Sequence, residues 1–238
     1  MTEQTTTAVV SQTRKQKPRR SMRRIAGALV ILLILLGICW WIGVFGGNVR
    51  TVAPGLVYRS AQLTGANYTA ETARWEDNGL ANVLRRDHIH TVINLRGGGM
   101  QNDYYRDELA QCRTAGAVHV DIPMSAVHLP PPSSLKELLH VFDHDPYPVL
   151  FHCQGGSDRS GLVGALYLAI YQNVPLDKAE TEQLTMRYGH FAFTSTGRMN
   201  AFFNLYRKYG GGMNMSKWII QKYPSIYRKV SKSAQANG

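Results

Sequence analysis

The chain has 238 residues, a hydrophobic share of 44% and a formal net charge of +11, enough for one medium domain with extensions. Its basic excess lies at the ends: residues 1–24 hold seven Lys/Arg against one acid, 207–238 hold seven against none, and 25–206 keep 13 basic and 15 acidic residues. A near-neutral centre argues against nucleic acid as a partner, and the basic ends suit an anionic membrane surface.

Residues 1–24 are polar, Thr-rich and then basic, the composition of a disordered tail. From 25 to 49 there is no charged residue, and Trp40 and Trp41 stand near the far end, so one transmembrane helix is expected at 25–46. The basic flank before it orients the N-terminus to the cytoplasm, which puts the rest of the chain on the far side, periplasmic or extracytoplasmic in a bacterium.

The stretch 52–62 reads as a turn and a first strand. A helix is expected around 79–88 and a buried strand at 91–96, ended by Gly97-Gly98-Gly99. A charged amphipathic helix covers 102–116, with Asn102 as its cap and Gly116 as its stop. Residues 117–122 alternate as the next strand, and Pro123 opens a Pro-rich loop, 124–132, that carries His128. Ser133 and Ser134 can cap a helix running to about Phe142. The turn 143–148 then leads into an apolar strand, 149–153, with a helical run at 162–170 soon after.

Helices are expected at 176–187, 196–209 and 215–228, with Pro224 kinking or ending the last. That last stretch sets Trp218, Ile219, Ile220, Tyr223 and Tyr227 among basic residues, suited to lie on a membrane or to pack on the domain with Lys outward. The element order implies an α/β fold, a mostly parallel central sheet flanked by helices on both faces and preceded by the transmembrane helix. The resulting layout is a tail at 1–24, a membrane helix at 25–46, the α/β domain at 47–210 and a basic C-terminal helix and tail at 211–238. Ligands in such sheets bind at the carboxyl ends of strands, where Arg96, Asp121 and Cys153 all fall.

The stretch 149–161 reads Val-Leu-Phe-His-Cys-Gln-Gly-Gly-Ser-Asp-Arg-Ser-Gly. A buried strand, a glycine turn and a helix start form an anion cradle, because the first amides of the helix point at the turn. The loop Gln154, Gly155, Gly156, Ser157 and Asp158 offers successive N–H groups, and Arg159 a planar fork for two phosphate oxygens. Both glycines are expected to take backbone conformations closed to other residues. The three cysteines, Cys39, Cys112 and Cys153, have no spacing for zinc or a disulfide framework. Cys112 reads as an inert core thiol, the alternative being a switching disulfide with Cys153.

The same stretch resembles the Cys-x5-Arg-Ser/Thr signature of the cysteine-dependent protein tyrosine and dual-specificity phosphatases, and matches it at His152, Cys153, Gly156, Arg159, Ser160 and Gly161. Residues 58–62, Tyr-Arg-Ser-Ala-Gln, look like the opening of bacterial domains of the dual-specificity type. Residues 92–96, Val-Ile-Asn-Leu-Arg, resemble a strand in which the Arg organises the site from the side.

The resemblance implies a phosphatase without cofactor or metal, acting on a phosphorylated protein. Cys153 would attack phosphorus, Arg159 stabilise the equatorial charge, Ser160 assist departure of the sulfur and His152 support the loop through a hydrogen bond. Arg59 is expected either in a structural salt bridge or on the phosphate. The family's general acid is an Asp upstream of the Cys. Asp121, 32 residues before Cys153, is the first choice, but the loop 124–132 holds no acid, so His128 and Asp158 stay open.

Ser157 stands where some bacterial relatives carry a Lys before Asp-Arg, which removes a cation used on highly phosphorylated substrates. Rival readings are a phospholipid phosphatase of the same mechanism, a non-catalytic phosphate-binding module and a rhodanese-like sulfurtransferase.

Overall fold

The computed structural model describes residues 19–45, 47–64 and 79–236. Most of the expected disordered tail therefore lies outside the described residues. Helix α1 (Arg19–Phe45) begins inside that tail, in a stretch without proline. Its described side chains, 24–37, are all exposed. Among the described residues no helix is long and apolar enough to cross a membrane, so the transmembrane helix expected at 25–46 is not supported there, and its side chains at 38–46 lie outside the described residues. The chain divides between Cys39 and Trp40 into two units.

Among the described residues the second unit is built on five strands. β1 (Arg50–Ala53) and β2 (Val57–Ser60) form an antiparallel hairpin, so the first strand expected from the sequence is two. Then follow α2 (Leu80–Arg86), β3 (Thr91–Asn94), α3 (Asp103–Ala115), β4 (Val118–Asp121), α4 (Pro132–His144), β5 (Val149–His152) and α5 (Asp158–Tyr171). Strand order is β1-β2-β5-β3-β4, and every pairing beyond the hairpin is parallel. This is the expected mostly parallel sheet.

Side-chain alternation along the strands supplies both faces. Val92 and Leu150 pack with Leu80, Val83, Leu84 and Cys112 beneath α2 and α3. Their neighbours Ile93, Val149 and Phe151 turn to the opposite cluster, with Leu135, Leu138, Leu162 and Val163 of α4 and α5. Cys112 and Cys153 belong to different clusters and are both free and buried. Burial pushes the Cys112 thiol up to about 12, and the Glu108 carboxylate adds to the shift, so Cys112 is the inert core thiol rather than a disulfide partner.

Local signals work as expected at α3, where Gly116 ends the helix in the left-handed region with φ +69°. At α4 the cap is Pro131, with Pro132 at the first helical position, and Ser134 instead donates to the Pro123 carbonyl at 3.1 Å.

Beyond α5 come α6 (Leu176–Gln183), short 3₁₀ turns at Met186–Tyr188 and Ser195–Gly197, α7 (Arg198–Tyr209), α8 (Met215–Gln221) and α9 (Tyr223–Ala236). Pro224 lies in the first turn of α9, where a missing N–H leaves no bond unmade, so it begins a helix. Trp218, Ile219 and Tyr223 are fully buried, Trp218 and Tyr223 pack edge-on to Phe202, and the Tyr223 hydroxyl donates to the Pro130 carbonyl at 2.8 Å. Each such burial contributes roughly 2–3 kcal/mol. Lys217, Lys222, Arg228 and Lys232 remain exposed, so the C-terminal stretch packs on the domain with its charges outward.

Candidate active site

β5 runs between β2 and β3 with all four of its residues buried, and it delivers Cys153 at its end, itself 2% exposed. α5 starts at Asp158, earlier than the apolar run suggested, so Asp158, Arg159 and Ser160 form its first turn. Cys153 and the helix amides thus face one short loop.

Two buried side chains hold that loop from behind. Asn48 Nδ2 donates to the Gly155, Gly156 and Tyr188 carbonyls at 3.0, 3.2 and 3.1 Å. Arg59 Nη2 donates to the Gly156 and Ser157 carbonyls at 2.6 and 2.9 Å, while its Nη1 grips the Gln183 carbonyl and Oε1 at 2.8 and 2.9 Å. A trans peptide points its N–H opposite its C=O. Carbonyls drawn back on Asn48 and Arg59 therefore turn the N–H groups of Gly156, Ser157 and Asp158 forward.

Arg59 was expected to meet phosphate or an acid and does neither; its partners are a carboxamide and backbone. Burial pushes its guanidinium down to about 10, partly offset by the charges of Cys153, Tyr188 and Asp158. It stays cationic at neutral pH, behind the sulfur.

Gly156 has φ +65°, and a Cβ there would stand 2.5 Å from the Ala61 nitrogen, so only glycine fits against β2. Gly155 has no such need. A Cβ there meets only Ser157 Oγ at 3.4 Å, which corrects the expectation of a special backbone.

Arg159 Nη1 donates to the Leu95 and Met124 carbonyls at 3.3 and 3.2 Å, fixing the side chain across the ends of β3 and β4. Its Nε is buried without a partner, so the Nε edge of the fork remains for an acceptor. Forward-facing amides, a fixed Arg fork and a sulfur on one loop make a cage for a tetrahedral anion with a nucleophile in it.

A family model described as "Polymorphic toxin system, DSP-PTPase phosphatase" matches residues 65–172, which include the whole loop. The match takes in a little under half of the chain and supports a cysteine-dependent phosphatase of the tyrosine/dual-specificity superfamily. No curated protein matches the phosphatase. Among solved structures, TpbA of P. aeruginosa is similar at 18% identity and TM-score 0.51, covering 73% of this chain and 91% of its own. TpbA in complex with phosphotyrosine gives 18% and 0.48, covering 72% and 93%. The catalytic core of the S. cerevisiae PP-IP phosphatase SIW14, in complex with citrate, gives 16% and 0.49, covering 68% and 91%. At 18% identity and TM-score 0.51 the likeness to TpbA speaks to the fold alone.

Next to Cys153, His152 meets a buried carboxylate that sequence reasoning missed. Glu108 of α3 is 1% exposed, and its Oε1 accepts from His152 Nε2 at 3.0 Å and from His119 Nε2 at 2.7 Å. Burial alone raises a carboxyl, but the two histidines overcome it and hold Glu108 down at about 2. The hydrogen bond of His152 thus goes to a helix and not to the loop. Ser160 Oγ is buried and donates to the Ser60 carbonyl at 3.4 Å.

The three acid candidates separate. Asp121 lies at the end of β4 opposite Asn94; its Oδ2 accepts from the Tyr105 hydroxyl, and its Oδ1 is buried without a partner. The same bond, with burial added, pushes the Tyr105 phenol up to about 12. Asp158 Oδ1 accepts from His190 Nδ1 at 2.7 Å. His128 is exposed, bonded to Ser125, and lines a 400 Å³ cleft with Arg198 and Tyr227.

Arg96 stacks over Tyr104 at 4.2 Å and donates to Gln62 Oε1. Together they line a 310 Å³ polar cleft, and Gln62 N in turn donates to the Gln154 carbonyl at 3.2 Å. Arg96 is thus linked to the loop through Gln62. A 680 Å³ cavity between α2 and α3 includes no loop residue. Among the described residues no cluster of His, Cys, Asp or Glu is arranged to hold a metal ion.

Proposed function

We infer that the phosphatase hydrolyses phosphomonoesters through a phosphocysteine on Cys153, with phosphorylated protein side chains, phosphotyrosine included, as its substrates. The sulfur of Cys153 attacks phosphorus, the S–P bond forms and the alcohol or phenol leaves with its oxygen. Water then cleaves S–P and releases inorganic phosphate. The observation that carries this reading is the backward grip of Asn48 and Arg59 on the loop carbonyls. It presents amides to an anion directly in front of the buried Cys153.

Arg159, anchored through Nη1, offers its Nε edge to two equatorial oxygens. Ser160 assists departure of the sulfur in the second step. Asp121 is the first candidate to protonate the leaving group, since Asp158 is engaged by His190 and His128 belongs to another cleft. Ser157 in place of a lysine favours substrates with a single phosphate. Attachment to a membrane, N-terminus cytoplasmic and domain opposite, rests on the sequence alone, through the uncharged run 25–49 and its basic flank.

Turnover of p-nitrophenyl phosphate, phosphopeptides and short-chain phospholipid phosphates by wild type, Cys153→Ser, Arg159→Lys and Asp121→Asn tests the mechanism. Cys153→Ser should abolish turnover, and Arg159→Lys should lose most of it because a point charge cannot make the fork. Asp121→Asn should slow poor leaving groups most; an unchanged leaving-group dependence moves the acid to His128 or Asp158. Equal hydrolysis by wild type and Cys153→Ser would remove the cysteine mechanism, and preference for the phospholipid arm would replace the protein substrate.

A further inference from the structure

His190 is not part of the signature, yet it is 1% exposed and touches the first residue of α5. Its Nδ1 lies 2.7 Å from Asp158 Oδ1 and its Nε2 lies 2.7 Å from Asn200 Oδ1. Asn200 Nδ2 donates to Glu180 Oε1 at 2.7 Å, and Glu180 Oε2 receives Arg207 Nη2 at 2.6 Å. The chain of bonds joins the phosphate loop to α6 and α7.

Its polarity is determined by donors and acceptors. A carboxylate only accepts, so the amide nitrogen of Asn200 must face Glu180 and its oxygen must face His190. Nε2 then has to be an N–H. Nδ1 faces a carboxylate as well and must also donate. A ring that donates from both nitrogens is an imidazolium, and here it is enclosed beside the loop.

Asp158 immediately precedes Arg159, and a carboxylate there that only the more distant Arg59 compensates would oppose the approach of a phosphate dianion. We propose that His190 is a positioning residue for substrate binding: a buried cation that turns Asp158 toward α7 and neutralises it beside the phosphate loop. This rests on the reading of that loop as the phosphate cradle. Arg207 plays the matching part for Glu180, so the negative groups of the chain are each paired from the loop outward.

The test uses the full chain, with p-nitrophenyl phosphate as substrate and inorganic phosphate as competitive inhibitor. His190→Gln should raise KM and the phosphate Ki about tenfold, with a smaller change in kcat. Adding Asp158→Asn to His190→Gln should bring Ki back toward the wild-type value, because no carboxylate is left to neutralise. A merely structural histidine would lower kcat and the melting temperature without that rescue. An unchanged Ki in His190→Gln, or a raised Ki that Asp158→Asn does not relieve, overturns the proposal. In ¹⁵N-histidine spectra His190 should show two ring N–H groups, and a single one also overturns it. A wild-type chain that neither turns over the ester nor binds phosphate defeats the cradle reading, and this inference with it.

Discussion

Replacing Arg59 by methionine tests whether the loop is held from behind. The substitution keeps most of the side-chain volume and deletes four hydrogen bonds of 2.6–2.9 Å. Two of the four acceptors keep another donor: the Gly156 carbonyl retains Asn48, and the Ser157 carbonyl retains the Gly161 amide at 2.8 Å. The Gln183 carbonyl and Oε1 lose theirs. Two orphaned buried acceptors cost about 1–3 kcal/mol each. Removing a guanidinium that burial already pushes down to about 10 returns part of that. The expected net loss is about 2–4 kcal/mol, a fall in melting temperature of roughly 5–15 °C for a domain of this size.

The catalytic effect should exceed the thermodynamic one. Amides displaced by even a fraction of an ångström no longer match the transition state, so kcat/KM for p-nitrophenyl phosphate should fall roughly a hundredfold at temperatures where the variant is folded. Arg59→Lys, which can reach one pair of acceptors but not both, should fall between. The measurements are a thermal melt by circular dichroism and steady-state kinetics on the same preparations. A melting temperature within about 2 °C of wild type, together with unchanged kcat/KM, would refute the claim that Arg59 shapes the loop.

Glu108 gives a pH signature. Its folded pKa, about 2, lies below the ordinary 4.5, so it contributes stability that is fully present above pH 4.5 and is lost as pH falls toward 2. The amount is on the order of 3 kcal/mol. Melts of wild type and Glu108→Gln should therefore converge as the solution is acidified through that window, and parallel curves would show that the carboxylate is not charged between its histidines. For location, protease added to cells with a permeabilised outer envelope should digest the α/β domain; full protection would reverse the proposed orientation.

The strand-turn-helix around Cys153 was legible in the chain because its parts are contiguous. An apolar strand, a His-Cys pair, two glycines and an apolar helix lie within 149–170, and each signals its conformation locally. The parallel sheet followed from the same logic, since strand and helix patterns alternate and β5 has no polar face. The break expected at Pro224 is present, between Gln221 and Tyr223, but the proline also stands in the first turn of a second helix that local sequence did not mark.

The strand-turn-helix of 149–170 and the proposal of Cys153 as nucleophile and Arg159 as phosphate fork can be read from local sequence. Tertiary structure alone decided what holds that loop in shape. Asn48 reaches a carbonyl 140 positions away, Arg59 one 124 away, Glu108 a histidine 44 away and Asp158 a histidine 32 away. Nothing local marks these side chains, for an Asn after an apolar run or a Glu on a charged helix reads as solvated. A buried donor takes whichever acceptor the folded chain brings within about 3 Å, and only the completed sheet brings β2, α3 and α6 to the carboxyl end of β5.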